Sequence, residues 1–115
     1  GITYREDVGD LRFSPSEDLI KKLLKDNLSI DCFDPMVDFT NCQGAKLLAD
    51  LPMANNYDAI VFTVKHSKFK DIDFKSWLNN FKGIIIDANH ILSDNKIAEL
   101  SNNGIKIKAI GRGDL

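Results

Sequence analysis

IIIDANHILSDNKIAELSNNGIKIKAI, residues 84–110, decides the fold. Ile84, Ile85 and Ile86 form an unbroken apolar run that suits a buried parallel strand, and Asp87 ends it. Ser93 stands where a helix N-cap belongs, and Gly104 where a helix closes in a left-handed turn. The spacing predicts a helix over 93–103 and a strand over 105–110. Strand, helix, strand in that order is a parallel crossover.

Working outward, residues 58–64 are another near-continuous apolar run (Ala59, Ile60, Val61, Phe62) and are expected to form a strand buried on both faces. Residues 73–81 are expected to form the helix between these strands, with Phe74, Trp77, Leu78 and Phe81 inward. Residues 28–33 are expected to be a strand ended by Asp34-Pro35. Residues 36–56 are hard to read; 44–51 are expected to hold a helical turn or two, stopped by Pro52. Ser14-Pro15-Ser16-Glu17 combines an N-cap serine, a proline at the first helical position and a glutamate at the third. It predicts a helix to about Asn27, with Leu19, Ile20, Leu23 and Leu24 buried and Lys21, Lys22 and Lys25 in water. Residues 1–4 read as the tail of a strand. The expected architecture is α/β: a three-layer, Rossmann-like sandwich with a mostly parallel sheet and a truncated first strand.

The chain has 115 residues, enough for one domain, and 43% of them are hydrophobic. Fifteen Lys and Arg stand against 17 Asp and Glu, for a net charge of −2. That balance argues against a general grip on nucleic acid. No apolar run is long enough to span a membrane. Cys32 and Cys42 lack metal-ligand or CxxC spacing and read as free thiols of a reducing compartment.

In parallel α/β folds, ligands gather beyond the carboxyl ends of the strands. That directs attention to 4–12, Asp34, Lys65-His66, 87–90 and Arg112. The segment 4–12 carries Arg5, Arg12 and three acids ahead of a helix start, which favours anions. The arginines either clamp a phosphate or pair with Glu6, Asp7 and Asp10. Gly9 stands alone, so no G-x-G-x-x-G dinucleotide cradle is present. His66 reads as exposed, as a cap of the next turn, or as a ligand contact; His90 shares the ambiguity. Neither has metal-ligand spacing. Asp87 orders either a backbone turn or a ligand hydroxyl. Trp77 reads as core.

The opening Gly-Ile-Thr-Tyr-Arg-Glu-Asp-Val-Gly-Asp-Leu-Arg-Phe-Ser-Pro resembles the start of the C-terminal domain of the UDP-glucose/GDP-mannose dehydrogenases. Phe33-Asp34-Pro35, 58–61, His66 with Phe69, Ile86-Asp87 and Gly111 follow in the family's order. The resemblance implies that residues 1–115 are the nucleotide-sugar-binding domain of a larger NAD-dependent enzyme. Such an enzyme oxidises a sugar C6 alcohol to a carboxylate in two steps. The catalytic cysteine of the family precedes this domain, so the resemblance places no catalytic residue and no metal here, and the domain alone is expected to be inactive. By motif position, Tyr4 and Arg5 line the nucleotide-sugar site and Arg12 reaches NAD. Asn89 stands where many relatives have an arginine that reaches a neighbouring subunit's substrate. A UDP-sugar, the NAD-binding and central domains of the parent chain, and a second copy in a homodimer are the implied partners. The implied setting is cytoplasmic polysaccharide biosynthesis, without nucleic acid or membrane.

Two other classes are weighed against this. A flavodoxin-like regulatory domain of the receiver type needs an acidic pair after its first strand and an aspartate after its third. Tyr4-Arg5 and Lys65-His66 stand there instead. A subunit-interaction module would dimerise without binding UDP.

Overall fold

The computed structural model describes residues 1–2, 15–36 and 45–110. The chain divides into two compact units, Gly1–Leu51 and Pro52–Leu115. Each is built on parallel strand pairing, so the α/β class stands.

In the first unit, α1 spans Pro15–Lys25. Of the four residues expected to be buried, Ile20 is and Leu19, Leu23 and Leu24 are half-buried, while Lys21, Lys22 and Lys25 face water as expected. Ser14, the expected cap, lies outside the described residues. The helix stops two residues earlier than expected, at a double-bonded C-terminal turn. The Asn27 N–H donates to the Leu24 carbonyl and the Leu28 N–H to the Leu23 carbonyl. Asn27 takes the left-handed conformation this turn needs, with φ at 62°.

The strand expected over 28–33 pairs only at β1, Asp31–Cys32. Its parallel partner is β2, Lys46–Leu47, with Asp31 opposite Lys46 and Cys32 opposite Leu47. In place of the helical turns expected over 44–51, the described chain pairs as a strand at Lys46–Leu47 and then passes through bends at 49–50. Six or seven helix-formers before a proline are too short to sustain a helix in water. The extended form gains two ladder bonds, Lys46 N–H to Ile30 O and Leu48 N–H to Cys32 O. It also turns Ala45 and Leu47 to one face, where they pack with Leu24 and Ile30 against Ile2, Ile20 and Cys32.

The second unit holds a three-stranded parallel sheet ordered β3-β4-β5: Ala59–Phe62, Ile84–Asp87 and Lys106–Ala109. Ile60 sits opposite Ile85, and Ile85 opposite Ile107. Central β4 is the best covered, with Ile85 and Asp87 fully buried and Ile84 and Ile86 half-buried. The expectation that residues 58–64 would be buried on both faces is not met. Ala59 is exposed and Ile60 and Val61 are half-buried; Phe62 and Val64 are buried.

Helix α3, Asp94–Asn102, matches its signals closely. The Ser93 hydroxyl accepts the Lys96 N–H at 3.1 Å. Gly104, at φ 87°, closes the far end through bonds from Gly104 N–H to Ser101 O and Ile105 N–H to Leu100 O.

The helix expected over 73–81 shortens to α2, Phe74–Trp77, capped by Asp73. Asn80 adopts φ 66°, which ends the helix and lets Phe81 turn into the core. Trp77 is half-buried rather than fully inward. Its ring meets Phe62 and Phe74 edge-on, and its indole N–H donates to the Pro52 carbonyl at 2.7 Å. It is a core side chain, as expected.

Candidate functional site

The residues beyond the carboxyl ends of β3 and β4 are built around two fully buried polar side chains, His66 and Asp87. Asp87 ends β4, and its carboxylate turns back on its own loop. Oδ1 accepts the N–H of Asn89 at 3.2 Å and of Ile91 at 3.0 Å; Oδ2 accepts the N–H of Leu92 at 2.8 Å. A buried carboxylate is costly unless its lone pairs are filled. Here three amides fill them, and the apolar Ile91 and Leu92 anchor the loop beneath, at 5% and 2% exposure. Of the two readings open for Asp87, the backbone role is the one observed.

Asn89 and His90 stand exposed on this loop. The Asn89 side-chain amide reaches the Thr63 carbonyl at 3.5 Å, across to the end of β3. The backbone adds Ala88 N–H to Phe62 O at 2.9 Å. His90 holds φ 52°, uncommon for a residue with a side chain.

His66 corrects its expectation. It is neither exposed nor a side-chain cap: its ring is buried and meets Phe69 at 5.5 Å between centroids. Its carbonyl accepts the Phe69 N–H, starting the 3-10 turn Ser67–Asp71. The apolar Phe69 three residues on draws the ring inward.

In the first unit, Asp34 repeats the arrangement of Asp87. It is 2% exposed, just past β1, and accepts the N–H of Met36 at 2.8 Å and of Ile2 at 2.7 Å. Cys32 is buried and in no disulfide among the described residues; Cys42 lies outside the described residues.

Tyr4, Arg5, Arg12, Gly111 and Arg112 also lie outside them. Of the sequence-nominated binding residues, Asn89 alone is placed. The structure joins it to Asp87 and to Thr63, which the sequence reading did not single out. Thr63 contributes only a carbonyl, which no residue type signals. Among the described residues no group of three His, Cys, Asp or Glu could hold a metal ion. No described helix is long and apolar enough to cross a membrane.

Parallel strands with ordered loops at their carboxyl ends define an α/β domain of the kind that binds ligands along that edge. The UDP binding domain of the UDP-glucose/GDP-mannose dehydrogenase family matches residues 1–94, and the chain belongs to that family. It is 27% identical to the UDP-N-acetyl-D-glucosamine 6-dehydrogenase of Pseudomonas aeruginosa, covering 84% of this chain and 24% of that protein. It is 30% identical to the UDP-glucose 6-dehydrogenase of Rickettsia bellii, covering 96% and 26%. With the UDP-N-acetyl-D-mannosamine dehydrogenase of Methanococcus maripaludis it shares 32% identity, covering 98% and 26%. The chain thus spans about a quarter of the length of these relatives. In fold it is similar to the UDP-D-ManNAc dehydrogenase of Pyrococcus horikoshii, with a TM-score of 0.72 and 22% identity over 100% of this chain and 25% of that one. The fold is Rossmann-like, as the sequence pattern predicts.

Proposed function

We propose that residues 1–115 form the nucleotide-sugar-binding domain of an NAD-dependent nucleotide-sugar 6-dehydrogenase. The parent enzyme oxidises a sugar C6 alcohol to a carboxylate, in the cytoplasm, as a step toward polysaccharide. The observation that carries this reading is the family match over residues 1–94, which takes in β1, β3, β4 and the loops beyond them. The relatives are named for UDP-sugars, which makes a UDP-sugar the substrate proposed.

By motif position, Tyr4 and Arg5 bind the nucleotide sugar, Asn89 does so as well, and Arg12 contacts NAD. Bound NAD supplies the hydride acceptor. This chain's own part is binding and orientation. Arg12 stands three positions ahead of α1, whose N-terminal dipole favours an anion. A guanidinium there suits a phosphate oxygen. With no G-x-G-x-x-G in the sequence, the cradle for the dinucleotide belongs to another domain of the parent, and the chain alone is inactive. The parent works as a homodimer.

The test is NADH formation. The parent enzyme should reduce NAD with a UDP-sugar, and the 115-residue chain should reduce none. A parent that oxidises no UDP- or GDP-sugar refutes the reading. NADH from the chain alone refutes its binding-only role.

A further inference from the structure

We infer that Asp87 is a positioning residue for ligand binding, acting through Asn89 on the loop 88–92. This rests on the reading that the chain binds a nucleotide sugar. Asp87 is itself 0% exposed, so it offers no surface to a ligand. Both its oxygens are committed to the loop, which they hold at Asn89, Ile91 and Leu92. An apolar side chain at the end of β4 would leave the amides of Asn89, Ile91 and Leu92 without this acceptor, so the carboxylate is there for the loop and not for the strand. What the carboxylate achieves is a loop of one shape.

Two features show how tightly that shape is set. His90 keeps a left-handed backbone between the pinned amides of Asn89 and Ile91, a conformation that persists only where its surroundings over-determine it. Asn89 is exposed yet reaches the Thr63 carbonyl, so the loop after β4 meets the end of β3 at the ligand-binding edge. A side chain on a loop locked this way loses less freedom when a ligand arrives.

The experiment is UDP titration of the full chain, with amide hydrogen exchange read at Ile91 and Leu92. Asp87→Asn keeps the shape but turns an N–H donor toward an N–H donor. It should speed exchange at those amides and weaken UDP binding about tenfold, because a loosened loop must lose its regained freedom when UDP binds. Asn89→Ala should weaken binding comparably, and the double variant should weaken it no further, because the two act as one. Asp87→Glu keeps the charge with one more methylene and should fall between, and it decides the matter if Asp87→Asn does not fold. A folded Asp87→Asn or Asp87→Glu chain that binds UDP as the wild type does overturns the inference, as does an additive double variant. A wild-type chain that binds no UDP overturns the binding reading itself, and the inference with it.

Discussion

Gly83 shows how a single residue sets the sheet. A Cβ there would overlap the Asp58 carbonyl oxygen and lie 2.6 Å from its carbon and 2.8 Å from the Phe81 ring. That carbonyl, one residue before β3, accepts the N–H of Ile84 at the start of β4 at 3.1 Å. The obstacle is backbone, so it cannot rotate away. Gly83→Ala should cost about 1–3 kcal/mol, as overpacking does, read as a lower midpoint in urea unfolding. An unchanged midpoint would mean that β3 and β4 do not approach as closely as described. The arginines divide differently. Arg12→Ala in the parent enzyme should raise the Michaelis constant for NAD by about 10- to 150-fold, the worth of a charge-assisted bond, with that for the sugar much less affected. Arg12→Lys should rescue partly, lacking the planar fork. Arg5→Ala should weigh on the sugar substrate instead. Loss of thermal stability with both constants unmoved would reduce Arg12 to a partner of Asp7 or Asp10. At this scale the sequence was half legible. Asp87 could be nominated from its place at a strand end, but its three amide partners depend on a loop path that no residue type encodes. The burial of His66 is not legible from its place after a strand; it follows from the packing of its ring on Phe69, one turn on.

Helix ends were the most legible elements, since capping depends on a few adjacent residues. Ser93 and Gly104 marked α3 to within a residue. Gly104 also separates conformation from space: nothing lies within 4 Å of a Cβ there, yet its φ is +87°. Gly104→Ala should therefore destabilise by about 1–2 kcal/mol through backbone strain alone. Asn27→Gly, at the matching turn of α1, should stabilise slightly. Thermal unfolding of both variants checks the pair; equal and neutral effects would remove the left-handed turns. Strands were less legible, because ladder partners are remote in sequence. Ala45 to Leu48 carries good helix-formers, and pairing with β1 makes Lys46–Leu47 a strand. Residues 73–81 failed oppositely: the helical spacing of Phe74, Trp77 and Phe81 is real, but Asn79-Asn80 allows the chain to leave the helix and still bury Phe81.

For the molecule as a whole, strand–helix–strand alternation was enough to give the α/β class, because parallel neighbours require crossovers. The division of strand pairing into sheets of two and three was not legible, since it depends on where ladders break. Each unit carries a strand ended by a buried aspartate that ties down the next loop, Asp34 in one and Asp87 in the other. Function was legible mainly through the opening motif, and the family match over residues 1–94 bears out that resemblance. The central claim is that this chain holds the nucleotide of a sugar nucleotide. Calorimetric titration of UDP into the folded 115-residue chain tests it most directly. The account predicts saturable binding that a UDP-sugar displaces and NAD does not. A folded chain that takes up no UDP would contradict it.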